Sequence, residues 1–181
     1  MQSIYLDHNS TTPIDPRVVD TIADYQKMGY VNPASQHLLG QRARADLELL
    51  RSEMIEMLGG QPGGVEADRL IFTSGGTESN HLALLGLLLD GKRRPLGRGL
   101  VSAVEHPSIM GATDYLKQLG VDVDMLPVDQ NGVLQLDAFG KAINGSVRLV
   151  SVMTANNETG VVQPIRQIVE QCAEQDRKST R

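Results

Sequence analysis

From residue 70 onward the chain alternates short apolar runs with helical patterns, and that alternation restricts it to one broad architecture. The runs cover 70–73, 99–104, 121–126 and 147–153. Between and after them a 3.6-residue periodicity predicts helices over 77–89, 107–119, 136–143 and 165–175. Strands that alternate with helices build an α/β fold, a mostly parallel sheet with flanking helices. Ligands of such sheets bind beyond the carboxyl ends of the strands. Upstream, Asp15-Pro16 opens a helix with Val18, Val19, Ile22 and Ala23 as its apolar positions. A second helix carries Ala43, Leu47, Leu50, Met54 and Met57 on one face. That seam is too short for a coiled coil and predicts a packed surface helix.

Three segments just past predicted strands carry polar chemistry. Ile71-Phe72-Thr73-Ser74-Gly75-Gly76-Thr77-Glu78-Ser79-Asn80 runs from an apolar strand through two glycines into a helix. Two readings fit Gly75 and Gly76: an anion cradle at the helix N-terminus, with Thr77 adding a hydroxyl, or a tight turn that needs glycine for steric reasons. His106 precedes Pro107, which marks a helix start. It is either a surface group or a ring facing a ligand. In Ala155-Asn156-Asn157-Glu158-Thr159-Gly160, the two asparagines either form a turn or offer a donor and an acceptor to a ligand.

Composition narrows the function classes. The chain has 181 residues and a net charge of -5, which argues against nucleic acid or an anionic membrane as partner. Lys92-Arg93-Arg94 is the basic exception and reads as a solvated loop. No apolar run reaches spanning length and no leader precedes the first helix, so the expected location is cytoplasmic. Cys172, the single cysteine, shares an apolar stripe with Ile165, Ile168 and Val169 and reads as a buried thiol. Glu78 and His81 have a metal-helix spacing without a second copy, so no metal is expected. Three Asn-x-Ser/Thr matches, at Asn9, Asn144 and Asn157, read as chance.

Five segments in register resemble the cysteine desulfurases, in the class V aminotransferase-like branch of fold type I pyridoxal-phosphate enzymes. They are Tyr5–Pro13, Asn32–His37, the glycine segment, Glu105–Ser108 and Ala155–Gly160, and the likeness runs from Ile4 to Cys172. The pairing of Asn-Asn-Glu-Thr-Gly with Thr-Ser-Gly-Gly-Thr-Glu-Ser-Asn is similar to the branch that serves iron–sulfur assembly. The resemblance implies pyridoxal phosphate as cofactor, with Gly75, Gly76 and Thr77 on its phosphate. His106 would stack on its ring and shuttle a proton in catalysis, and Asn157 would bond its phenolic oxygen. Gly76 stands where relatives often carry Ala, which leaves the backbone donors untouched. Asp7, His8, Asn9, Thr11 and Thr12 match the family's N-terminal signature near the active site and dimer contact.

The resemblance further implies an N-terminal arm over 1–15 and an incomplete cofactor-binding large domain over 16–181. The family's Asp-Ala-x-Gln strand, Ser-x-His-Lys lysine, sulfur-accepting cysteine and carboxylate-binding arginine have no counterpart here. Lys27, Lys92, Lys117, Lys141 and Lys178 all lie outside the required motif, and Cys172 does not inherit the cysteine's role. The expectation is therefore the N-terminal part of an enzyme that converts L-cysteine to L-alanine. Its sulfur leaves as a persulfide for a scaffold or tRNA-modifying acceptor, and the complete protein is a homodimer. The chain alone is expected to be inactive, and poorly folded unless another chain completes it. The missing strands would lie between the strand ending at Thr73 and the other three. Two alternatives stay open: another class V lyase or aminotransferase, and a non-catalytic truncated relative acting as remnant or dimerisation partner.

Overall fold

The structure is a computed structural model that describes residues 4–29 and 31–179. The chain divides into two compact units, Met1–Phe72 and Thr73–Arg181.

The second unit holds the sheet. In chain order its elements are α3 (Gly76–Leu88), β1 (Arg98–Ser102), α4 (Pro107–Gln118), β2 (Val123–Leu126), α5 (Leu136–Ala142), β3 (Val147–Ser151) and α6 (Ile165–Ser179). The three strands are parallel in the order β2-β1-β3, with β1 central. Gly99, Leu100, Val101 and Ser102 stand opposite Val123, Asp124, Met125 and Leu126.

Side chains alternate across a strand, and β1 uses that alternation to serve two cores. Val101 faces a cluster with Leu84 and Leu88 of α3, Ile109, Ala112 and Leu116 of α4, and Val123 of β2. Leu100 faces the other, with Leu126, Leu134, Phe139 of α5 and Ile168 of α6. Leu100, Val101, Leu116 and Phe139 are 0% exposed. One glycine is demanded by this packing. A Cβ at Gly99 would sit 3.1 Å from Leu88 Cδ1 and 3.4 Å from Val123 Cγ1, so α3 lies close on the sheet because β1 has no side chain there.

The α/β fold with a parallel sheet and flanking helices is as expected from the sequence, and its helices fall close to the predicted bounds. The first predicted strand is not. Residues 70–73 pair with no strand among the described residues and so form no ladder, since an extended run becomes a strand only beside a partner that takes up its backbone groups. The Arg51 guanidinium instead donates to the Leu70 carbonyl and lies 4.7 Å from the Phe72 ring centroid. The remaining strands are shorter than predicted. β1 ends at Ser102 and β3 at Ser151, and the residues after them leave the ladder.

The α6 stripe is narrower than its sequence pattern. Ile168 is buried and Cys172 packs beside it, whereas Val169 is 58% exposed. At ~100° per residue, Val169 sits about 40° to one side of Ile165 while Ile168 and Cys172 fall to the other. Cys172 is half-buried rather than buried. Glu174–Ser179 continue α6, and Thr180 and Arg181 lie outside the described residues.

The first unit contains α1 (Pro16–Lys27) and α2 (Leu38–Met57). Asp15 caps α1, its carboxylate accepting the Arg17 N–H at 2.8 Å, and Pro16 occupies the first helical position. His37 caps α2 through Nδ1, which accepts the Gly40 N–H. Gly40 is sterically required, since a Cβ there would lie 2.4 Å from the Ser35 carbonyl oxygen. The predicted seam of α2 is only partly packed. Ala43 and Ile55 are buried, but Leu50 and Met54 are exposed and Met57 is 86% exposed. Val18, Val19 and Ile22 of α1 are exposed as well. Periodicity identifies which face of a helix is apolar; it does not supply the surface that covers it.

Candidate functional site

The candidate residues all belong to the second unit, and a hydrogen-bonded frame joins the segments that carry them. β1 and β3 are adjacent, so the loops after them leave the same end of the sheet. Two bonds tie those loops together. Asn156 Nδ2 donates to the Val104 carbonyl at 3.1 Å, and the Met153 N–H donates to Glu105 Oε1 at 2.5 Å. The glycine segment joins through α3. Asn80 Nδ2 donates to Ser108 Oγ at 2.8 Å, and His81 Nε2 donates to the Ser108 carbonyl at 3.1 Å.

At the start of α3, Gly75 is the N-cap and no side chain caps the helix. The first N–H groups of a helix have no internal acceptor, so those of Gly76 and Thr77 are available to an anion. Glu78 does not cover them. Its carboxylate turns back to accept the Ser74 N–H and Ser74 Oγ–H, both at 2.7 Å. Those two bonds hold its carboxyl below the usual range, the hydroxyl bond more strongly. Ser79 Oγ pairs with Thr73 Oγ1 at 2.7 Å, which fastens the entry of the helix.

The two readings of the glycines can be weighed on this geometry. Gly75 has φ 164, extended backbone open to any residue. A Cβ at Gly75 or at Gly76 would meet nothing within 4 Å. Neither a turn nor a neighbour in the chain demands glycine there, and the space over the backbone is open to a guest. Thr77 is exposed beside it.

His106 is the N-cap of α4. Its Nδ1 accepts the Ser108 N–H at 3.1 Å and lies 2.8 Å from Ser108 Oγ. The ring is exposed. Glu105, just before it, is half-buried. Burial pushes its carboxyl above the ordinary value, and the amides of Met153 and His106 oppose that only in part.

The Asn-Asn pair divides its labour. Asn156 Oδ1 accepts the N–H groups of Glu158 and Thr159, at 3.0 and 2.9 Å, and the Thr159 hydroxyl at 3.1 Å. The Asn156 side chain therefore ties the turn and bridges to the loop after β1, while Asn157 lies in the same turn with its side chain exposed. The turn reading fits both residues, with the Asn156 side chain supplying the bonds that tie the turn.

Other sequence candidates separate from this frame. Asp7, His8, Asn9, Thr11 and Thr12 form a turn in the first unit, where the Tyr5 hydroxyl is shared between the Asp7 and Thr11 carbonyls. Lys92, Arg93 and Arg94 are exposed, and Arg94 pairs with Asp90. Cys172 lines a groove beside β3 with Asn144, Arg148 and Asp176. The Asn80–Ser108 link and the Glu105–Met153 bond were absent from the sequence reading. Ser108 lay inside a quoted motif, but only the packing of α3 on α4 reveals its partners.

The sequence profile of the aminotransferase class-V family matches residues 4–178. The chain belongs to that family. It is 40% identical over 167 residues to the cysteine desulfurase IscS 1 of Archaeoglobus fulgidus, covering 92% of this chain and 42% of that protein. The solved NifS-like protein superposes with a TM-score of 0.81 at 30% identity, over 93% of this chain and 45% of that one. SspA in complex with cysteine gives 0.82 at 28% identity, over 96% and 48%. The chain thus spans about two fifths to one half of the length of these relatives and corresponds to their N-terminal part. Its α/β fold matches less than half of the length of fold type I pyridoxal-phosphate enzymes. No helix among the described residues is long and apolar enough to cross a membrane.

Proposed function

We propose that this chain forms the phosphate and ring-binding portion of a pyridoxal-phosphate cysteine desulfurase. The observation that carries the reading is the uncapped N-terminus of α3, with open space over Gly75 and Gly76, fastened to the His106 and Asn157 loops at one end of the sheet. The donor set suits this cofactor. The Gly76 and Thr77 N–H groups and the Thr77 hydroxyl would hold its phosphate, the His106 ring would stack on its pyridine, and the Asn157 amide would donate to its phenolic oxygen. When bound, pyridoxal phosphate supplies an electron sink for bonds broken next to the substrate amine.

The protein's own task is placement. Asn156 fixes the turn so that the Asn157 amide is free to bind. Glu78, held by Ser74, keeps its charge off the phosphate position. His106 is aimed by α4 and can exchange a proton where substrate approaches. In the whole protein of this reading, L-cysteine becomes L-alanine and the sulfur passes as a persulfide to an acceptor protein, for iron–sulfur cluster or thio-cofactor assembly. The complete enzyme is a cytoplasmic homodimer, built from an arm over 1–15 and a large domain from 16 onward, with further segments supplying the lysine and cysteine.

The test is a titration of the full chain with pyridoxal phosphate, read by absorbance. Saturable binding is expected, competed by inorganic phosphate and weakened about tenfold by Thr77→Ala, the cost of one hydrogen bond to a charged group. Borohydride should leave no stoichiometric adduct on a single lysine. Binding that ignores both phosphate and Thr77→Ala, or no saturable binding, would sink the reading for this chain.

A further inference from the structure

Two helices meet at one serine beside the candidate site. Ser108 Oγ receives the Asn80 Nδ2–H at 2.8 Å from α3 and stands 2.8 Å from His106 Nδ1. An amide NH2 can only donate, so the hydroxyl accepts from Asn80 and keeps its own proton for the imidazole. The Ser108 N–H, which can also only donate, points at the same Nδ1 at 3.1 Å. Two donors thus converge on one ring nitrogen. Nδ1 must be the acceptor, and the proton of the neutral ring resides on Nε2. His81 adds a second grip from α3 on the same turn through the Ser108 carbonyl.

We propose that Ser108 and Asn80 are positioning residues for His106. The chain Asn80 Nδ2–H to Ser108 Oγ–H to His106 Nδ1 holds the imidazole as the Nε2–H tautomer, and it couples the ring's orientation to the helix that carries the phosphate cradle. This deepens the function proposed above and rests on it for its catalytic meaning. The ring presents a donor N–H on the side away from α4. Its basic lone pair faces inward and is occupied, so a proton entering the neutral ring arrives at Nδ1, where the Ser108 hydroxyl must first turn aside. A shift of α3 on cofactor binding would reach His106 through Asn80, without any contact between Asn80 and the ring.

The test is long-range 1H–15N correlation on the imidazole of the 15N-labelled full chain without cofactor, at alkaline pH where imidazoles are neutral. His106 is assigned by the loss of its signals in His106→Gln. The wild-type chain should show a protonated Nε2 and an unprotonated, hydrogen-bonded Nδ1. Ser108→Ala and Asn80→Ala should each move the Nδ1 resonance toward that of a free ring. Each should also lower the preference for the Nε2–H form, by about fivefold for Ser108→Ala, equivalent to about 1 kcal/mol for one hydrogen bond. Ser108→Thr, which keeps the hydroxyl, should restore the wild-type pattern. A wild-type ring carrying its proton on Nδ1 would overturn the proposal, whatever the Ser108 and Asn80 variants show. So would an Nδ1 signal unmoved by both Asn80→Ala and Ser108→Ala. The cofactor titration is a separate measurement, so failure of binding with the expected tautomer would count against the functional reading alone.

Discussion

At the residue scale, two neighbouring asparagines illustrate how composition conceals function. Asn156 makes four hydrogen bonds with its side chain amide to protein oxygen and nitrogen groups, whereas Asn157 lies in the same turn with its side chain exposed. Asn156→Ala should therefore lower stability by about 1–2 kcal/mol in urea unfolding, while Asn157→Ala stays within about 0.5 kcal/mol. Equal effects would mean that the division of labour is wrong. Glu105 gives a pH dependence of defined sign. Burial raises its carboxyl, so its contribution is fully present below the unfolded-state value and is lost as pH rises through the folded one. The wild-type chain should lose stability relative to Glu105→Gln as pH rises from about 3 toward about 7, and then hold a constant difference. A gap that closes on raising the pH would contradict this. Burial, with the Asp176 charge adding to it, also raises the Cys172 thiol. Its alkylation at neutral pH should be at least ~10-fold slower in the native chain than in urea, since the thiolate is the reactive form. Native reactivity equal to that of the denatured chain would remove the structural reading of Cys172.

Elements depend on partners that periodicity alone cannot provide. Residues 70–73 have strand composition, yet among the described residues they pair with no strand. β1 has neighbours on both edges and a buried side chain on each face. Native-state hydrogen exchange should find the Leu100 and Val101 amides among the slowest in the chain and those of 70–73 among the fastest. Protected amides at 70–73 would show that another segment or chain completes a ladder there. The helices were easier to read, because caps are local: Asp15 before Pro16, and His106 before Pro107, mark their starts in the sequence itself. The cover over each helix is not local. Ala43 and Met57 belong to one apolar face of α2, and one is buried while the other is open.

On the scale of the whole molecule, both apolar clusters lie within Thr73–Arg181. In the first unit Ala43 and Ile55 are the buried hydrophobic residues among those described. Residues 73–181 expressed alone should keep helical circular dichroism and unfold cooperatively, and residues 1–72 alone should not. Cooperative unfolding of 1–72 would refute that assignment of the core. The sequence by itself determined the α/β class, the helix starts and the family. Alternation of apolar runs, capping residues and five motif segments are all properties of short stretches of chain. The same stretches marked Gly75, Thr77, His106 and Asn157 as candidates, since each follows a predicted strand. Only the tertiary structure decided that 70–73 joins no strand among the described residues, that the Asn156 side chain rather than that of Asn157 ties the turn, and that Asn80 reaches Ser108 from another helix. Those outcomes depend on which groups meet across 28 residues in the Asn80–Ser108 link and 52 in the Asn156–Val104 link. A hydrogen bond is fixed by distance and direction in space, and local sequence encodes neither until the helices have packed.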